Sequence, residues 1–228
     1  MRIAVVGGTG DFGLALAKQL VAAGEDVVIG SRDAARAAEK GAEVGAAGAS
    51  NEDAVHGVDI VVLAVKSDAA LPTAVYLAAA IGDTPVLSVA SELRFTKRGV
   101  LPTAEAQSIA ERTQEVLDAP VTAGLHSLAA ASLAEGRADG DALVCGDDTV
   151  AKELALELAA KVVSGRALDA GPLASARALE GMTAVIVNLN KRYKGHAGVR
   201  VVGLPLAATP FFRSRGFRSS ARGTTSRR

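Results

Sequence analysis

The chain has no tryptophan, one cysteine and three histidines, and aromatic residues make up 3% of its 228 positions. Each scarcity excludes something. Cys145 on its own forms no internal disulfide and no cysteine-based metal site. His56, His126 and His196 are spread too far apart for a metal site, and there is no Cys–His or Ser–His–Asp spacing to support covalent catalysis. With so few rings, the core must be built from Ala, Val and Leu, with tight contacts between helices and sheet, which is consistent with α/β layering. No apolar run reaches the roughly 18 residues needed to span a bilayer. No charged leader with an apolar segment precedes the first strand, so a cytoplasmic protein without membrane contact is expected. Acid is missing from one region: Pro205 to Arg228 holds six arginines and no Asp or Glu, so a net charge of zero leaves residues 1–204 at −6. This Arg-, Ser- and Thr-rich stretch lacks apolar periodicity and reads as a disordered or loosely attached tail, with no nucleic-acid partner expected.

Glycine and apolar residues are abundant, at 24 positions and 49%. The length suits one large domain, or one domain with a small appendage, and the apolar content is ample for a buried core. The most informative glycines come first. Ile3-Ala4-Val5-Val6 reads as a strand, Gly7-Gly8-Thr9-Gly10-Asp11-Phe12-Gly13 as a turn, and Leu14 to Leu20 as a helix. Gly8, Gly10 and Gly13 fill the pattern G-x-G-x-x-G. The first permits the tight turn, the second lets a pyrophosphate approach the backbone, and the third lets helix pack on strand. Free N–H groups at the helix start then face the phosphates. A second apolar run, Asp26 to Ile29, follows at βαβ distance, so the whole turn with Thr9, Asp11 and Phe12 is assigned to dinucleotide binding.

After that second run an NAD-binding chain usually carries an acid for the adenine ribose. Here the residues are Gly30-Ser31-Arg32, with Arg36 one helical turn on. A hydroxyl and guanidinium groups suit a 2′-phosphate, so Ser31, Arg32 and Arg36 point to NADP. In the alternative, Ser31 only caps the next helix, the arginines are solvated, and Asp33 is the ribose acid displaced by two positions.

Further along, Asp33 to Val44 reads as helix, Val58 to Val65 as a buried strand, Ala69 to Ala80 as helix and Thr84 to Val89 as a strand. Arg94 to Leu101 reads as an irregular surface loop near the strand ends. A helix over Glu105 to Leu117, with Ile109, Val116 and Leu117 buried, precedes strands at Pro120 to Leu125, ending at His126, and at Ala142 onward. Asp147 and Asp148 are placed to cap a helix from Thr149 to Val163. Ala167 to Ala170 is a last strand, Gly171-Pro172 breaks it, and Leu173 to Tyr193 is an apolar helix long enough to cover the sheet mouth or a twin subunit. The expected fold is α/β: a Rossmann-type, doubly wound, mostly parallel sheet with a small C-terminal helical region. Its parts are residues 1–170 binding NADP, residues 171–204 covering the substrate cleft, and the tail at 205–228.

Gly7-Gly8-Thr9-Gly10 and Gly30-Ser31-Arg32, together with Val144 to Asp148, Leu168 to Leu173, Arg177, Leu179-Glu180, Thr183 and Asn188, resemble the NADPH-dependent coenzyme F420 reductases. The likeness runs from residue 1 to about 204. The glycine turn alone marks a broad superfamily that includes pyrroline-carboxylate reductases. The resemblance implies NADP along the turn and a deazaflavin ring against the nicotinamide, in a cleft closed by the C-terminal helices. It further implies Thr9 near the nicotinamide and His126 and Thr183 near the deazaflavin. The sequence departs from the family after the third strand, where Val65-Lys66-Ser67-Asp68 replaces a usual proline and aromatic, and in the tail after Leu204.

Hydride transfer between two cofactors needs orientation more than side-chain chemistry, and the paucity of acid–base residues fits it. His126, at a strand end, is expected to hydrogen-bond the deazaflavin and stabilise developing charge. Thr9 and Thr183 complete the candidate catalytic set, with no metal. Asp169 is expected to bond the turn at Gly171, and Glu180 to orient a neighbouring helix or pair with Arg177. The phosphate and oligoglutamate tail of coenzyme F420, the expected co-substrate, calls for basic groups, from Arg94, Lys97 and Arg98 or from Lys191, Arg192 and Lys194. A homodimer through the last helix is expected. Competing readings are an NADP-dependent reductase of a small imine or ketone, which needs a proton donor, and a non-catalytic NADPH-sensing module.

Overall fold

The computed structural model describes residues 1–205, so the expected tail lies outside the described residues except for Pro205. An eight-stranded sheet has the order β10-β9-β8-β5-β4-β1-β2-β3. Its strands are β1 (Arg2–Val6), β2 (Asp26–Ser31), β3 (Ala47–Ser50), β4 (Ile60–Leu63), β5 (Val86–Ser88), β8 (Val121–Gly124), β9 (Ala142–Gly146) and β10 (Ala167–Asp169). Neighbours run parallel except at β8–β9, where the direction reverses. The fold is the mostly parallel Rossmann-type sheet that the sequence implied.

Alternation along β1 divides the core. Ile3 and Val5 join one cluster with Leu16, Leu20 and Leu158. Ala4 and Val6 join the other with Leu77 and Ile81 on the opposite face. Helices α1 (Asp11–Ala22), α2 (Ala34–Val44) and α7 (Thr149–Val162) pack with α4 (Ser67–Ile81), α5 (Ile109–Gln114) and α8 (Ala176–Tyr193) around this sheet. A Cβ on Gly48 of β3 would fall 2.2 Å from the backbone of Ala37 in α2. This is the close helix-on-sheet contact that a core without large rings requires. No helix among the described residues is long and apolar enough to cross a membrane.

Six elements differ from the sequence reading. β3 and the short α3 (Asn51–Ala54) fill a stretch given no element, as does α6 (Ala130–Glu135). Arg94 to Leu101 is no irregular loop but an antiparallel hairpin of β6 (Leu93–Thr96) and β7 (Gly99–Pro102). The helix expected from Glu105 begins at Ile109, because Ser108 and Glu111 form a reciprocal capping box there, and Val116 is exposed rather than buried.

Candidate functional site

Strand order reverses between β1 and β4: the chain leaves β1 toward β2 on one side, and β4 toward β5 on the other. Such a switch point opens a crevice at the carboxyl ends of the strands. The glycine turn lies on it. Gly7 has φ +80, in the left-handed region, and a Cβ there would be 2.7 Å from Val65 Cγ1. Val65, from the loop that departs from the family pattern, therefore packs against the turn. A Cβ on Gly13 would be 2.7 Å from the carbonyl oxygen of Gly7, so close packing of helix on turn requires that glycine. Gly10 is different. Its Cβ would meet nothing nearer than 3.4 Å and it is exposed, so the space beside it is open to a ligand.

Helix α1 has no side-chain cap, and the N–H groups of Asp11, Phe12 and Gly13 bond to no acceptor among the described residues. By contrast, Asp33, Ser50, Ser108 and Asp148 cap α2, α3, α5 and α7. Three free donors at a helix N-terminus beside an open glycine suit a pyrophosphate.

At the end of β2, Ser31 is buried while Arg32 and Arg36 are exposed and enter no salt bridge among the described residues. Asp33 rather than Ser31 caps α2, accepting from Arg36 N at 3.1 Å, while Ser31 Oγ accepts from Asp33 N at 3.2 Å. Sequence reasoning missed Asn51. It follows β3, is 8% exposed, and lies against Gly30, where a Cβ would be 2.9 Å from its Oδ1. That Oδ1 is buried without a partner, and Nδ2 makes no hydrogen bond among the described residues. An asparagine opening a weak strand-helix junction was the available signal.

On the other side of the crevice, Leu125 follows β8 at φ 65, a conformation that costs a branched residue energy. The turn carries His126 inward. At 5% exposure, its Nε2 lies 3.2 Å from the carbonyl oxygen of Ala90, and Nδ1 is buried without a partner. Because a carbonyl only accepts, Nε2 carries the proton and Nδ1 a lone pair. Burial pushes the imidazole down to about 4, overriding the Ala90 bond, which raises it. With its one N–H on the Ala90 carbonyl, the neutral ring presents a lone pair at Nδ1 on its other side. Thr183 Oγ1 donates to the carbonyl oxygen of His126 at 2.9 Å and lies 2.8 Å from Ser91 Oγ. Since Thr183 spends its proton on His126, Ser91 donates to Thr183 and keeps only lone pairs. The two hydroxyls join the segment after β5, the end of β8 and the middle of α8. Thr9, within the turn, is half-buried with a hydroxyl free of hydrogen bonds among the described residues.

The remaining assignments fall to structure. Asp169 Oδ1 accepts from Gly171 N at 2.8 Å, as expected. Glu180 orients a neighbouring helix rather than pairing with Arg177: its oxygens accept from Ile109 N at 3.0 Å and Ala110 N at 3.1 Å. Burial pushes its carboxyl up to about 7 against those two donors. Asp148 caps α7, whereas Asp147 accepts from Leu173 N instead. Burial raises the Cys145 thiol to about 12, so it is inert at neutral pH. A groove of about 900 Å³ between α8, the base of the hairpin and Gly198-Val199 touches no residue of the glycine turn.

Comparison with known proteins gives a consistent picture. Residues 2–92 match the family described as NADP oxidoreductase coenzyme F420-dependent. An F420-dependent NADP reductase of Methanothermobacter thermautotrophicus is 34% identical, over 90% of this chain and 96% of its own. One from Methanocaldococcus jannaschii is 32% identical, over 90% of this chain and 100% of its own. In fold, a crystal structure from Arthrobacter sp. FB24 superposes with a TM-score of 0.75 at 24% identity, covering 90% of this chain and 100% of that one. The pyrroline carboxylate reductase of Plasmodium falciparum with NADP bound gives 0.59 at 14% identity, over 85% of this chain and 64% of that one.

Proposed function

Because the chain belongs to the family of F420-dependent NADP reductases, we propose that it transfers hydride directly between NADP(H) and the deazaflavin coenzyme F420, as a cytoplasmic homodimer. When bound, the nicotinamide and the deazaflavin supply the redox chemistry themselves. The residues of this chain bind and orient. Gly8, Thr9, Gly10, Asp11, Phe12 and Gly13 hold the pyrophosphate, and the observation that carries the reading is the row of three unpartnered N–H groups at Asp11 to Gly13 beside two unpaired arginines. Ser31, Arg32 and Arg36 hold the 2′-phosphate, and the Asn51 amide joins them from the start of α3.

Neighbouring strands lie about 4.8 Å apart, so the end of β5, two strands from β1, is about 10 Å from the glycine turn. Thr9 on one side of that interval and Thr183 on the other would hold the nicotinamide and the deazaflavin against each other. His126 acts as a positioning residue through its carbonyl, which fixes the Thr183 hydroxyl. The scarcity of proton donors supports hydride exchange over reduction of an imine or ketone, which needs one.

Mixing the protein with NADPH and oxidised deazaflavin in a stopped-flow instrument is expected to give rapid loss of deazaflavin absorbance; none would overturn the activity. In the same assay Arg32→Ala and Asn51→Asp weaken NADPH binding at least tenfold and NADH binding less than threefold, since each charge-assisted bond contributes about 1.5–3 kcal/mol. Equal losses for the two cofactors would show that neither residue meets the 2′-phosphate.

A further inference from the structure

The two basic clusters of the sequence, one after β5 and one at the end of α8, meet in the fold, Arg94 excepted. Asn188 of α8 clamps the hairpin by pairing with both backbone groups of one residue: its Oδ1 accepts from Val100 N at 2.9 Å and its Nδ2 donates to the Val100 carbonyl oxygen at 2.7 Å. Gly99 lets the clamp close. It has φ +129, and a Cβ there would come within 2.9 Å of Asn188 Oδ1. Lys191 and Arg192 lie three and four residues past Asn188, hence on the same face of the helix. Lys191 Nζ stands 5.4 Å from the ring centre of Phe95 on β6.

The clamp thus brings the hairpin that carries Lys97 and Arg98 to Lys191, Arg192 and Lys194 of the helix end, whereas Arg94 lies on the face of β6 opposite Phe95 and its Nε donates to the Pro102 carbonyl oxygen at 3.2 Å. None of these six enters a salt bridge among the described residues. The nearby acid Glu92 is already committed to Arg112. Cations in the last turn of a helix complement its dipole and need no ligand. Lys97 and Arg98 have no such reason, and holding them beside the others adds repulsion that a polyanion would relieve.

Resting on the activity proposed above, we infer that this patch holds the phosphate and oligoglutamate tail of the deazaflavin, and so selects for tailed forms of the co-substrate. The reach is suitable. Thr183 and Lys191 are eight residues apart on one helix, about 12 Å at 1.5 Å per residue, so the ring and the tail follow the same element.

The test measures binding by deazaflavin fluorescence, independently of turnover, for F420 and for the same deazaflavin stripped of phosphate and glutamates. Exposed charge pairs each contribute roughly 1.4- to 5-fold, so Lys97→Glu with Arg98→Glu, and separately Lys191→Glu with Arg192→Glu, are expected to weaken F420 about 5- to 20-fold. Binding of the stripped form and of NADPH stays within twofold, which also reports that the variants fold. Salt near 0.5 M removes most of the difference between wild type and variants. Equal effects on tailed and stripped forms, or none on either, overturn the patch while leaving hydride transfer intact. A wild type that binds both forms and reduces neither overturns the activity instead.

Discussion

His126 illustrates how one side chain's surroundings decide its chemistry. The ring enters the interior because Leu125 adopts a left-handed backbone, and there its proton serves the Ala90 carbonyl. Folded His126 takes a second proton only near pH 4, whereas an unfolded histidine does so near 6.5. The folded state therefore binds fewer protons between those values. Its contribution to stability is fully present above about pH 6.5 and is lost as pH falls toward 4. The whole window corresponds to about 3 kcal/mol. His126→Gln keeps a donor for Ala90 and does not titrate, so urea unfolding at pH 7 and pH 4.5 should show a markedly shallower acid loss than wild type. The same neutrality predicts no activity step attributable to this residue between pH 6 and 8. A variant whose acid loss equals that of wild type would remove His126 as the source.

Among the elements, those with a local apolar run were legible from pattern: β1, β2, β4, β8 and β9 each bury one, as at Ile60 to Leu63. β3 was not, because Ala47-Gly48-Ala49-Ser50 has little strand propensity and exists by packing on α2 through Gly48. The hairpin was illegible for a related reason: the Asn188 clamp that holds it comes from 88 residues away. At the site, the glycine turn and the cluster of Ser31, Arg32 and Arg36 are local signals, whereas Asn51 and the Ser91–Thr183 pair depend on contacts between distant segments. The link from α8 to α5 is of the same kind. Glu180 is 2% exposed and accepts both N–H groups at the start of a helix only six residues long. Glu180→Ala strands two buried donors at about 1–3 kcal/mol each, with the local capping box of Ser108 still intact. Expressed as melting temperature, a net loss near 3 kcal/mol is about 6–12 °C in a chain of this size. A shift below 2 °C would mean that water replaces the carboxylate without cost.

For the molecule as a whole, the question is what covers the outer face of α8. Ala178, Gly181, Met182, Val185 and Leu189 recur at helical spacing along the 900 Å³ groove. Val185 is 55% exposed and Leu189 38%. A small residue at Gly181 allows close approach of another helix, and an apolar stripe of this length left to water is unfavourable by about 25 cal/mol per Å². A second copy presenting the same stripe would cover it symmetrically. Light scattering coupled to size exclusion is then expected to give about twice the chain mass of 23.0 kDa at micromolar concentration. Val185→Asp places two like charges across the symmetry axis, and should shift the protein to 23.0 kDa at little cost to the monomer, because the position is already half in solvent. A wild type that elutes as a monomer would leave the groove without its proposed occupant. A dimer unmoved by Val185→Asp would place the contact on another face.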